Sequence, residues 1–151
     1  MSYSEKIGKK LNELLEKNYD AEAGYKKAAE DVKNVTLKGY FESRAKDRYD
    51  FGHEIKAELS SFGQEPDKGT SVKGDLHRAW MDLKSAFSSN KEEAILEEAI
   101  RGEKAAIEDY DEIINDKEVP PSTKEVLVKQ RNSVQEALTK AKALEIKADH
   151  K

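Results

Sequence analysis

A carboxylate three residues before a histidine puts both side chains on one face of a helix, the spacing by which helices hold divalent metal ions. The chain has three histidines, His53, His77 and His150, preceded at that distance by Asp50, Gly74 and Lys147. Only Asp50-Phe51-Gly52-His53 offers a pair, and at about 100° per residue both side chains point away from the stripe through Phe41, Arg48 and Ile55. That pair is read as solvated. There is no cysteine, so thiolate nucleophiles, zinc-thiolate sites and disulfides are excluded. No G-x-x-x-x-G-K-[ST] loop is present for nucleotide phosphates, and the serines cluster at helix starts. A different group of residues stands out. Asn18, Arg44, Arg48, Glu103 and Gln130 all fall on otherwise apolar helical stripes, in the company of Tyr25 and Tyr110. A buried carboxylate must find a counter-charge or take up a proton. Arg48 is the expected partner of Glu103 and Arg44 the fallback, with Asn18 and Gln130 completing the hydrogen bonds; the alternative is that both arginines snorkel to the rim and Glu103 meets water. Tyr25 and Tyr110 serve either core packing or a redox centre. Glu30, Glu42 and Glu98 read as surface charges.

The elements that would position these residues follow from the punctuation of the chain. The prolines, Pro66, Pro120 and Pro121, separate long stretches of helical periodicity with no strand-like alternation, so the fold class is all-α. Helices are expected at about 3–34, 36–62, 75–87, 90–115 and 122–148. The first opens on a Ser2/Glu5 capping box and carries Ile7, Leu11, Leu14, Asn18, Ala21, Tyr25, Ala28 and Val32 inward. Leu37, Phe41, Arg44, Arg48, Gly52, Ile55 and Leu59 line the second, which stops at the Gly and Pro of GQEPDKGTS. Ser89/Glu92 and Ser122/Glu125 are expected capping boxes of the last two. Their stripes run through Leu96, Ala99, Glu103, Ala106, Tyr110 and Ile113, and through Leu127, Gln130, Val134, Leu138 and Ala141. Gly52 and Gly102, inside helices, suggest close backbone approach to a bulky neighbour.

Asn18 and Glu103 lie equally far upstream of the two tight turns, and each precedes a tyrosine, Tyr25 or Tyr110, by the same interval. Two helical hairpins related by a pseudo-twofold are therefore expected, forming a four-helix bundle as a single domain over residues 1–151. The stretch between the hairpins has to run the length of the bundle, about 40 Å at about 1.5 Å per helical residue. Its short helix would lay Leu76, Trp80, Leu83 and Phe87 on an apolar surface, belonging either to the bundle or to a second subunit.

Two hairpins joined by one long crossover resemble the ferritin superfamily. More narrowly, Gly24-Tyr25-x-x-Ala28-Ala29-Glu30, Leu76-His77-Arg78-x-Trp80-x-Asp82-Leu83-Lys84 and Arg101-Gly102-Glu103 resemble a family of small bacterial four-helix-bundle proteins of unknown function within it. The resemblance implies an inward Glu on the first helix of each hairpin and Glu-x-x-His on the second. Set against this chain, those slots fall on Asn18 and Glu103, on Arg48 and Phe51 or Glu42 and Ala45, and on Ser133 and Ala137 or Gln130 and Ser133. One carboxylate of the inward pair is left, no slot supplies a histidine, and arginine has no lone pair for a metal. The di-metal site is thus expected to be lost, with no catalytic residues and no cofactor.

Acidic and basic residues are interleaved throughout, with a net charge of −4, and no basic stripe suits nucleic acid. No stretch suits a membrane span or secretion signal, so a cytoplasmic location is expected. The function expected is a non-catalytic ferritin-like bundle acting through protein contacts as a homo-oligomer, a dimer by first expectation, with the protein partner unknown. The alternative is a metal-dependent protein, using iron or manganese at a non-standard carboxylate site.

Overall fold

The computed structural model describes residues 2–67 and 91–149, and among them the regular structure is four α-helices. These are α1 (Tyr3–Asp31), α2 (Val35–Ser61), α3 (Lys91–Ile114) and α4 (Pro121–Asp149). The crossover helix expected over 75–87, with Leu76, Trp80, Leu83 and Phe87, lies outside the described residues, as does Ser89.

Local chemistry fixes the helix ends. Ser2 Oγ accepts the Glu5 amide at 3.2 Å and donates to the Glu5 carboxylate at 3.0 Å, opening α1. That helix stops at Asp31, three residues short of expectation. Asn34 is already the cap of α2, its side chain accepting the Leu37 amide at 3.1 Å, and Val32 turns extended to bury its side chain between the two helices. At the far end of α2, Gly63 takes φ 68°, and the Gly63 and Gln64 amides donate back to Ser60 and Leu59 at 3.0 Å each. This left-handed closure favours glycine. The start of α4 differs from the expected Ser122/Glu125 box: the Lys124 amide donates to the Pro120 carbonyl at 3.0 Å, so Ser122 is already helical. Pro121 suits the first helical position, where its missing N–H loses no partner.

Packing follows two hairpins. Helix α1 lies along α2 and α3 along α4, while α1 meets α3 and α2 meets α4 across the bundle. Contacts between α1 and α3 run in opposite order along the two chains: Lys10 pairs with Asp116, Lys17 with Asp109 at 2.9 Å, and Tyr25 with Glu103 at 2.6 Å. The two helices are antiparallel, which makes α3 parallel to α2. Helices α2 and α3 run parallel on a diagonal of the bundle without packing on each other, so the chain between them has to return the length of the bundle.

The apolar core divides into two clusters. One holds Tyr25, Phe41, Leu96 and Leu138 towards the α1–α2 turn; the other holds Leu11, Ile55, Tyr110 and Leu127 towards the opposite end. Every residue of the inward stripes is buried in α1, α2 and α4, and in α3 all but Ala106, which is half-buried. Gly52 is not under pressure, since a Cβ there would stand 3.6 Å from Leu15, an ordinary contact. A tight glycine is Gly8, where a Cβ would fall 2.6 Å from Gln64 Cγ. Beside it Asn12 holds the chain leaving α2, donating to the Glu65 carbonyl at 3.1 Å and accepting the Asp67 amide at 2.8 Å. No helix among the described residues is long and apolar enough to cross a membrane.

Glu92, in the first turn of α3, reaches to the other hairpin. Its Oε1 accepts the backbone amides of Lys33 and Asn34 at 2.9 and 3.1 Å, clamping the α1–α2 turn. Hydrogen bonds to a charged acceptor stabilise by roughly 1.5–3 kcal/mol. Glu92→Ala should therefore lower unfolding free energy by about 1–3 kcal/mol in urea titrations and speed amide exchange at Lys33 and Asn34.

Candidate functional site

Between the two apolar clusters lies a polar layer to which all four helices contribute. Its centre is Glu103 on α3, 0% exposed. Glu103 Oε1 accepts from Arg48 Nη2 at 2.6 Å and from the Tyr25 hydroxyl at 2.6 Å, while Oε2 accepts from Arg44 Nη2 at 3.0 Å. Both arginines lie one turn apart on α2, each 3% exposed, so their guanidinium groups approach the carboxylate from the same side.

The network continues from Arg48. Its Nη1 donates to Asn18 Oδ1 at 2.9 Å, and Asn18 Nδ2 donates to the Leu14 carbonyl at 3.0 Å and to the Tyr110 hydroxyl at 3.2 Å. Tyr110 in turn donates to Gln130 Oε1 at 2.7 Å. Gln130 Nε2 reaches the Phe51 carbonyl at 3.3 Å and Glu54 Oε1 at 3.2 Å, closing the path between α4 and α2. Arg44 Nη1 donates to Asp47, one turn on, at 2.6 Å. The seven inward residues picked out by spacing thus lie in one connected network. Asp47 and Glu54 join at its edges, and Tyr40 lies nearby with its hydroxyl donating to the Ala137 carbonyl at 3.0 Å. Asp47 and Glu54 carried no sequence signal beyond their positions one turn from Arg44 and from Phe51.

Other candidates lie elsewhere. Asp50 and His53 are exposed, Asp50 paired with Lys46 at 2.9 Å and His53 set edge-on to Tyr49. Glu30 and Glu42 are exposed, but Glu98 is buried and paired with Arg101, contrary to its reading as a surface charge. An arginine one turn away supplies the counter-charge that lets it be buried.

Burial would push the Glu103 carboxyl up, but the charges of Arg48 and Arg44 and the Tyr25 hydrogen bond outweigh it and hold it below its ordinary 4.5. Burial is the largest single influence on the Arg48 guanidinium and pulls it down, but the charge and hydrogen bond of Glu103 together with Tyr25 and Tyr110 outweigh it, so it stays cationic. The tyrosines shift the other way. Burial, reinforced by Glu103, pushes Tyr25 and Tyr40 well above their ordinary value, and burial pushes Tyr110 up to about 12. All three are neutral hydrogen-bond donors at physiological pH. The layer is an ionised carboxylate held by two cations and a phenol.

These residues do not fit a carboxylate-bridged metal pair. Both oxygens of the one central carboxylate already accept hydrogen bonds, and the groups beside it are guanidinium nitrogens with no lone pair and a positive charge. Among the described residues, no three of His, Cys, Asp and Glu converge as metal ligands. Asn18, Arg48, Glu103 and Gln130, one from each helix, meet through hydrogen bonds instead.

The fold is that of the ferritin-like bundles. A crystal structure described as a ferritin-like, diiron-carboxylate protein from Bacillus anthracis str. Ames matches with a TM-score of 0.70, covering 96% of this chain and 99% of that one at 19% sequence identity. No curated protein matches the chain. Residues 6–116 match the family described as a domain of unknown function, DUF2383, and the chain belongs to that family.

Removing Glu103 would leave two guanidinium groups side by side in the core without their counter-charge. Glu103→Ala should cost roughly 3–5 kcal/mol by equilibrium unfolding. The pH dependence has a defined sign. Because the folded carboxyl titrates below the unfolded one, its stabilisation is complete above 4.5 and is lost as pH falls through its lowered folded value. The tyrosines act oppositely: their contribution is complete below 10.0 and lost as pH rises through their elevated folded values. Glu103→Gln should flatten the acid limb of the wild-type stability profile and, because Glu103 helps to raise Tyr25, move the alkaline limb to lower pH without removing it.

Proposed function

We propose that this protein is a non-catalytic ferritin-like bundle whose polar centre is structural, and which acts through protein contacts as a homo-oligomer. The observation that carries the first part is the engagement of both Glu103 oxygens by Arg44, Arg48 and Tyr25. A carboxylate so occupied, in a residue with 0% exposure, has no path to a substrate and no free position for a cation. What remains for function is the outer surface. There charges of both signs alternate, as in the interhelical pair Lys17–Asp109 at 2.9 Å and the α3–α4 pair Arg131–Asp111 at 2.9 Å. Such a surface suits protein partners better than a polyanion. On this reading the ancestral metal centre is degenerate, with Asn18, Arg48, Glu103 and Gln130 at its former positions.

Protein purified from cells supplied with iron and manganese should carry either metal at well under one atom per chain, and Glu103→Gln should leave that content unchanged. Near-stoichiometric iron or manganese that is lost in Glu103→Gln would contradict the proposal and support a non-standard carboxylate site. On the same sample, light scattering should give a mass above the 17.1 kDa of one chain.

A further inference from the structure

We infer that the guanidinium groups of Arg44 and Arg48 stand in for a pair of metal cations, with Glu103 bridging them as a carboxylate bridges two metals. The inference rests on the structural role proposed for the centre and deepens it. Three observations carry it. The first is the mode of contact: Glu103 gives one oxygen to each cation, Oε1 to Arg48 and Oε2 to Arg44, instead of forming a two-pronged pair with either. Arginine ordinarily favours the two-pronged arrangement, whereas the split one is how a carboxylate spans two separate cations. The second is placement: the contact lies at the level where α1, α2, α3 and α4 each supply at least one inward polar side chain, the arrangement that builds di-metal centres in four-helix bundles.

The third is what the arginines leave unused. Arg44 Nε and Arg48 Nε are buried and make no hydrogen bond to the described protein atoms. Each guanidinium meets the carboxylate through a single Nη2 and spends its Nη1 on a second acceptor, Asp47 for Arg44 and Asn18 for Arg48. Charge is what the carboxylate takes from these side chains. Two positive charges fixed beside one negative then repel any dication, and Asp47 balances the excess from the rim, its side chain 38% exposed. Asn18 Oδ1 accepts from Arg48 where an oxygen ligand would otherwise face a metal.

Exchanging the built-in cations for a carboxylate and an amide should therefore turn the centre into a cation site. The test is the thermal midpoint of three purified full-length proteins with EDTA and with Mn2+, a cation suited to oxygen ligands. Wild type should not respond. Arg44→Gln/Arg48→Glu should melt well below wild type in EDTA and rise on the order of 5–10 °C when Mn2+ is about a hundredfold above its dissociation constant. Adding Glu103→Gln to that variant should abolish the rise. A folded Arg44→Gln/Arg48→Glu protein that ignores Mn2+, or responds equally with Glu103→Gln, overturns the inference. A wild-type rise that depends on Glu103 would sink both the inference and the structural role beneath it, so the two failures are distinct.

If Arg44→Gln/Arg48→Glu stays unfolded with and without Mn2+, Arg48→Ala decides. Methylguanidinium should raise its midpoint relative to sodium chloride at equal ionic strength, and Glu103→Gln should remove the difference. Equal response to the two salts overturns the inference.

Discussion

A carboxylate taken out of water is stable only beside opposite charge, and the rest of this bundle is arranged to bring that charge to Glu103. The compensating groups come from other helices: Arg44 and Arg48 from α2 and Tyr25 from α1, with Asn18 holding Arg48 and Gln130 tying Tyr110 to α2. Apolar stripes attract without direction and allow helices to slide. Hydrogen bonds between named atoms on four helices do not, so the polar layer sets the axial level at which the two apolar clusters meet. The closed ends agree with that level. Glu92 clamps the α1–α2 turn, and at the opposite end Lys10 and Tyr3 reach Asp116 and the Glu118 carbonyl.

The pseudo-twofold between hairpins is visible in the network itself. Tyr25 of α1 bonds Glu103 of α3, and Tyr110 of α3 bonds Asn18 of α1, so one contact is repeated with the halves exchanged. What differs is charge: the repeat places a carboxylate in one copy and an amide in the other, and both arginines belong to the first hairpin. A symmetric centre with two carboxylates would need more positive charge than the second hairpin supplies, since the inward residues of α4 near this level are Gln130 and Val134. The asymmetry in ligand type and the asymmetry in arginines are two sides of one charge balance.

Much of this was legible in the chain. Arg44, Arg48, Glu103, Asn18 and Gln130 interrupt apolar stripes, and an ionisable residue at such a position has few ways to be satisfied. The choice between Arg44 and Arg48 was not legible, because spacing fixes a helix face but not the offset between neighbouring helices to within a turn. The structure uses both, one on each oxygen. Glu92, expected only as a capping-box partner of Ser89, and Gly8 show a related gap: each answers to a segment distant in sequence, the α1–α2 turn and Gln64, whose position only the assembled bundle determines. Local rules also erred where two of them competed. Asn34 could continue α1 or cap α2, and Pro121 displaced Ser122 as the start of α4.

Glu103 and Arg48 depend on each other for their place in the core, and a double-mutant cycle measures that dependence. Unfolding free energies of wild type, Glu103→Leu, Arg48→Leu and the double variant should give a coupling energy of at least about 2 kcal/mol, the double variant being far less destabilised than the sum of the singles. Additivity within about 0.5 kcal/mol would mean that each side chain is satisfied without the other, and the account would be wrong.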